Sequence, residues 1–202
     1  MSQTQKSYYA KSGLFSIFEK GSVFIFGFVS TVLLLRALEP SAFGIWVIFL
    51  AVTSLFEVAI IGLIQNALVK YLATCKEDEY DLFSTASLTL NVLLTAACAL
   101  FLFLFANLIS QWQNIPEWGH LFQVYCITSF CLIPFYQFNY IQQANLDFTG
   151  IFWSNFTRKG IFFLYIAVMF FAGFEITLLG LAIFQIVGAI LGSIVSLSLI
   201  HI

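Results

Sequence analysis

The sequence predicts an all-α, polytopic integral membrane protein: six transmembrane helices forming one lobe, with residues 1–202 as a single domain. Three observations predict it. The chain is 61% hydrophobic and only 9% charged, against about 25% charge in an ordinary soluble domain. A soluble core could not hide that much apolar surface, so the solvent must be lipid; the mean hydropathy of +0.97 agrees. The apolar residues fall into six runs, at about 13–37, 42–71, 82–110, 119–145, 151–172 and 176–200, and a membrane-crossing helix needs about 20 such residues. The basic residues are asymmetric. With the N-terminus inside, Lys6, Lys11, Lys20, Lys70, Lys76, Arg158 and Lys159 lie on or near the cytoplasmic side, and only Arg36 lies near the outer face. By the positive-inside rule this places both termini in the cytoplasm.

The first run follows a polar, basic N-terminus without a small-residue cleavage site, so the first helix itself acts as the membrane address. Ser16, Lys20, Gly27 and Thr31 are spaced by four, seven and four, which puts them on one helix face. Either this stripe lines a wet cavity, or Lys20 snorkels to the headgroups beside Glu19. The first two runs form a hairpin. Pro40 cannot continue a helix and disfavours helical geometry at Glu39, so the chain turns there. Trp46 suits a membrane–water interface.

The second run carries Glu57 near its middle, where a charge costs on the order of 2.5–3.5 kcal/mol. It must face the interior, take a proton or pair with a cation, and Lys20 is the nearest candidate by depth. Between the second and third runs, Glu77, Asp78, Glu79 and Asp81 read as a solvated linker. In the third run Asn91 is expected to hydrogen-bond between helices. The loop from Gln111 to Glu117 contains no Lys or Arg, as an exported loop should, with Trp112 and Trp118 as flanking anchors.

Pro134 lies inside the fourth run, where a bend is expected. Beyond it Asn139, Gln142, Gln143 and Leu146 share a face, with Tyr136 and Tyr140 nearby. Amides and aromatic rings suit sugar hydroxyls and ring faces; the alternative is a helix end already solvated. The fifth run opens with Asn155, Arg158 and Lys159. Either the two cations meet anionic inner-leaflet lipids, or Arg158 holds a substrate phosphate, whose oxygens its planar fork matches. In the sixth run Gly188, Gly192 and Ser196, each four apart, form a small-residue stripe for close helix packing.

Other chemistries find no footing. Cys75, Cys98, Cys126 and Cys131 show no CxxC spacing and read as free thiols. His120 and His201 have no ligand companions, so no metal or cofactor is expected. A net charge of −2 argues against a nucleic-acid partner. There is no phosphate-cradling glycine loop and no Ser–His–Asp set, so no enzyme activity is expected.

The stretch Arg36-Ala37-Leu38-x-Pro40-x-x-Phe43-Gly44, followed by Gly62-Leu63 and Ala67-Leu68-x-Lys70, resembles the first hairpin of the polysaccharide and oligosaccharide flippases. These exporters of O-antigen and capsule repeat units belong to the superfamily that includes the multidrug exporters. Relatives commonly carry an acid just before the glycine matching Gly62; here Ile60 and Ile61 stand there, and Glu57 lies a turn earlier. The resemblance implies the N-terminal lobe of a two-lobe transporter, in the bacterial inner membrane, flipping a polyprenyl-pyrophosphate-linked oligosaccharide. Its partners would be that lipid-linked oligosaccharide, membrane lipids, and a missing C-terminal lobe or a second copy. On this reading Lys20, Arg36, Glu57, Asn139, Gln142, Gln143, Arg158 and Lys159 are the candidate substrate-binding residues, and Lys20, Glu57 and Arg158 are expected in one cavity open to the cytoplasm. The competing expectations are a cation-coupled multidrug exporter using Glu57, and a truncated, non-transporting assembly partner.

Overall fold

The computed structural model describes residues 3–112 and 119–200. They form six helices: α1 Gln3–Ala37, α2 Pro40–Thr74, α3 Glu77–Trp112, α4 Gly119–Ala144, α5 Phe148–Phe171 and α6 Leu178–Ile200. Trp118, His201 and the side chains of Lys6, Lys11 and Trp112 lie outside the described residues. Five of the six helices are long and apolar enough to cross a membrane. The exception is α5, whose first half carries Ser154, Asn155, Arg158 and Lys159. Its 24 residues still span about 36 Å at the helical rise.

The first three helices outrun the apolar runs that announce them. Hydropathy marks only the part of a helix that lipid covers, whereas Gln, Lys and Ala continue a helix into water. So α1 starts about ten residues before its run. The acidic segment read as a linker is instead the start of α3: the helix opens at Glu77, and the Asp78 and Glu79 carboxylates fall in its first turn, where they complement the helix dipole.

The turns are short. Leu38 and Glu39 alone separate α1 from α2, with Glu39 extended (ψ 148°) and Pro40 opening the next helix, the position where a missing N–H costs nothing. Between α4 and α5, Leu146 takes a left-handed conformation (φ 59°), and Asp147 caps α5 by accepting from the Gly150 N–H. At the end of α5, Gly173 turns left-handed (φ 73°) and the Phe174 N–H closes back on the Met169 carbonyl, a glycine-terminated helix end. Helix α4 continues through Pro134 as one element.

Two groups of helices share a spine. Helix α5 packs on α6 and α1, while α4 packs on α6, α3 and α2. The hairpin partners α1 and α2 scarcely touch beyond their turn, so a cleft opens between them. Trp46, expected at the interface, is instead buried at 2% exposure, stacked against Phe49 and Phe162 with centroids 5.2 and 6.3 Å away. Lipid is as apolar as these rings, so tight aromatic packing rather than exclusion from water holds them. Outward faces such as Leu55, Leu63 and Phe28 are exposed and meet acyl chains.

The small-residue stripe of α6 does what its spacing predicts. A β-carbon at Gly188 would lie 2.7 Å from the Arg158 carbonyl oxygen, and one at Gly192 would lie 3.1 Å from the Arg158 Cβ and 3.0 Å from the Phe135 ring. Ser196 is fully buried, its hydroxyl and carbonyl both bonded to the Gln142 amide. The stripe therefore seats α5 against α6 at Arg158. Asn91 departs from expectation. Its Oδ1 accepts from Thr95 on its own helix, and its Nδ2 has no partner among the described residues.

Gly188→Val places a β-carbon and two methyl groups against the α5 backbone. Overpacking of this kind costs about 1–3 kcal/mol, so the thermal unfolding midpoint of the detergent-purified protein should fall by several degrees. Gly62→Ala, where nothing lies within 4 Å of the new β-carbon, should leave it unchanged or raise it.

Candidate functional site

Glu57 lies at the middle of α2 and turns into the bundle. Its Oε1 accepts from the Tyr125 hydroxyl at 3.1 Å and its Oε2 from the Tyr136 hydroxyl at 2.7 Å. The Arg158 Nη2 stands 3.7 Å from Oε2. That is long for a charge-assisted hydrogen bond, which runs to about 2.7–2.9 Å. The guanidinium instead donates to the Tyr136 hydroxyl at 3.3 Å, and that hydroxyl in turn donates to Glu57. The ion pair is thus bridged by a phenol. The guanidinium also sits 4.8 Å from the Phe135 ring centroid and 5.4 Å from that of Tyr136, within cation–π range.

Sequence explains each placement. Tyr125 and Tyr136 are three turns apart on one face of α4, and α2 packs along that face. Arg158 is brought in by the α6 glycines. The expected partner of Glu57, Lys20, is elsewhere: it pairs with Glu19 at 3.0 Å, its own side chain 80% exposed and Glu19's 8%. Depth along the membrane normal ranked Lys20 first, but α1 and α2 diverge, so equal depth does not bring the two side chains together.

A cavity of about 430 Å³ fills the cleft between α1 and α2, with Glu57, Arg158 and Lys159 on its wall. Glu57 is its only acid. Arg158 is committed to that acid, whereas Lys159 has no ion-pair partner among the described residues. Ser30, buried and with a hydroxyl that finds no partner among the described residues, lines the same space.

A second cavity, of about 290 Å³, lies toward the N-terminal end of α1 and includes Ser16, Lys20, Gln65, Asn139, Gln143 and Asn155 on its wall. The α1 stripe lines both: Gly27 and Thr31 face the first cavity, Ser16 and Lys20 the second. The single cavity expected for Lys20, Glu57 and Arg158 is therefore two, and Tyr136 links them: its hydroxyl bonds Glu57 of the first cavity's wall, and the residue itself lines the second.

The remaining sequence candidates divide. Asn139 and Gln143 reach the second cavity. Gln142 does not; it is 1% exposed and ties α4 to α6 through Ser196. Arg36 is exposed at the end of α1 and lines neither cavity. Sequence reasoning missed Tyr125, Glu19 and Gln65 as site residues. For Gln65 a signal existed: it follows Glu57 by eight residues, the same face of α2. Tyr125 gave none, because a lone tyrosine in an apolar run also reads as packing.

The family comparison addresses the same bundle. A family model described as polysaccharide biosynthesis protein matches residues 33–202, which takes in Glu57, Tyr125, Tyr136, Arg158 and Lys159. No curated protein matches the chain, and neither does any solved structure. The matched span covers most of the chain, from the end of α1 through α6, and on that ground this multi-pass membrane protein belongs to the polysaccharide biosynthesis protein family.

Proposed function

We propose that this chain is a transporter lobe, not an enzyme, that moves a polyprenyl-pyrophosphate-linked oligosaccharide across the bacterial inner membrane. One observation carries the reading: a cavity inside a membrane bundle whose wall holds two cations and one acid. A net positive wall in a low-dielectric setting draws an anion. The Ser30 hydroxyl, without a partner among the described residues, stands in its wall as a donor for a phosphate oxygen, whereas Thr31 and Ser54 donate to the Gly27 and Ala51 carbonyls of their own helices. The cleft between α1 and α2 gives a lipid tail a lateral exit, since no packed interface closes it. Membership of a polysaccharide biosynthesis family supplies the saccharide.

Within this reading the residues divide the work. Lys159 is the standing charge that attracts the pyrophosphate. Arg158 is a reserve cation, held by Glu57 through Tyr136, and available when an anion competes with the carboxylate. Glu57 keeps the site from binding its anion too tightly to release it.

Three outcomes follow for farnesyl pyrophosphate binding by the protein in lipid nanodiscs. Lys159→Ala removes a charge-assisted contact of about 1.5–3 kcal/mol and should weaken binding tenfold or more. Glu57→Gln leaves the Tyr136 bond site in place while freeing Arg158, and should tighten binding. Arg158→Lys keeps the charge without the fork and should fall between wild type and Lys159→Ala; Arg158→Ala is a poorer probe, because leaving Glu57 without its cation costs about 3–5 kcal/mol of stability. Equal affinities across the series would sink the anion reading.

Transport is tested in proteoliposomes carrying a fluorescent polyprenyl-pyrophosphoryl saccharide. Protein-dependent loss of probe from one leaflet is the expected result. Export of lipophilic cations driven by an ion gradient, with no saccharide movement, would establish the exporter alternative instead.

Orientation has its own measurement. In a background with the four native cysteines replaced by serine, Glu39→Cys in the α1–α2 turn should react with an impermeant maleimide added outside intact cells. Glu79→Cys, at the start of α3, should react only after permeabilisation. The reverse pattern would invert the topology.

A further inference from the structure

The second cavity differs from the first in charge and in chemistry. Its acid and its cation, Glu19 and Lys20, are paired to each other, so its wall is neutral. The rest of its polar equipment is amide, phenol and the Ser16 hydroxyl. The Gln65 Nε2 donates to the Gln143 Oε1 at 2.8 Å, which orients both amides and leaves the Gln65 Oε1 and the Gln143 Nε2 directed elsewhere. The Asn155 Nδ2 donates to the Ile151 carbonyl, leaving its Oδ1 to accept. Tyr140 is 2% exposed, and its hydroxyl has no partner among the described residues. With the Ser16 hydroxyl, which also lines the cavity, the set is two acceptors, one amide donor and two groups that do both.

An anion wants donors only, and a cation wants acceptors only. A mixed set suits hydroxyl groups, each of which donates and accepts. The aromatic side of the wall agrees: the Tyr136 and Tyr140 rings lie nearly parallel, 14° apart with centroids 6.2 Å distant, and both line the cavity. Flat rings with polar tips match a ligand that has an apolar face and a polar rim. The volume of about 290 Å³ is at the small end for ligand sites, which fits one ring and not a chain of them.

We propose that this cavity is a second subsite, which holds an uncharged pyranose ring while the pyrophosphate occupies the neighbouring cavity. The proposal rests on the anion reading given above and adds to it the recognition of the sugar. Tyr136 stands at the junction, its hydroxyl in the Glu57–Arg158 bridge and its ring on the sugar side. The two halves of one amphipathic headgroup would thus meet two walls of opposite character, presented by a single face of α1.

The test compares two probes on the protein in nanodiscs: farnesyl pyrophosphate, and the same lipid bearing N-acetylglucosamine on its terminal phosphate. Wild type should bind the sugar-bearing probe about tenfold more tightly, the effect of one or two added hydrogen bonds. The double variant Gln65→Leu/Gln143→Leu removes a bonded pair together, which spares the fold an unpaired amide. Asn155→Leu is the independent second variant. Each should bring the ratio of affinities below twofold and leave farnesyl pyrophosphate binding at its wild-type value. Lys159→Ala should weaken both probes alike and preserve the ratio. A wild-type ratio near one overturns the sugar subsite, as does an equal loss of both probes in the amide variants. A ratio that persists when Lys159→Ala changes neither probe keeps the subsite and overturns the anion reading.

Discussion

A carboxylate halfway along a membrane-spanning helix cannot be left facing lipid, and much of this bundle follows from where Glu57 finds its partners. Two phenols and a guanidinium meet it. Those three groups come from α4 and α5, so the placement of α2 is fixed against helices distant in sequence and not against its hairpin neighbour α1. Arg158 can be there only because α6 lacks side chains at Gly188 and Gly192. The stripe that reads as generic helix packing is thereby tied to the electrostatics. A larger residue on α6 would move the α5 backbone, and with it the only cation paired with Glu57 among the described residues. Buried pairs of this kind seldom add net stability, because desolvation offsets attraction. Here the pair lies on the wall of a cavity that Lys159 also lines.

The legible part of the fold was the part that lipid dictates. Six helices, their order, the turn at Glu39 and Pro40 and the small-residue stripe all follow from composition and spacing. Lipid demands long apolar helices and short turns, and sequence displays both directly. What was not legible is what water decides. The starts of α1 and α3 lie beyond the apolar runs, where Gln, Lys and Glu make helix without any hydropathy signal. The segment around Glu77 and Glu79 looks like a linker by charge and is a helix start by dipole.

The site was legible by residue and illegible by pairing. Glu57, Arg158 and Lys159 stood out because charge inside a membrane is costly, and all three line one cavity. The Lys20 pairing failed because it used one coordinate, depth, where the bundle needs three. Helix periodicity gives a face but not the neighbour that face meets. For the same reason Asn139, Gln142 and Gln143, inseparable in the sequence, separate in the fold: adjacent positions on a helix point about 100° apart. Gln142 turns to α6 and becomes structural, while Gln143 turns toward α2 and the cavity. Trp46 erred in the same way, because its place in the sequence near a turn says nothing of the aromatic shelf that α5 offers it.

The α1 stripe shows how a weak sequence signal can be right in outline and still mislead in detail. Ser16, Lys20, Gly27 and Thr31 do face polar space, yet that space is two cavities and not one. The division has a physical basis. A single cavity containing Lys20, Arg158 and Lys159 with Glu57 alone opposite would carry a surplus of positive charge in a medium that stabilises it poorly. Pairing Lys20 with Glu19 removes one charge from that sum, and bridging Arg158 to Glu57 removes another. Only Lys159 is left without a partner among the described residues.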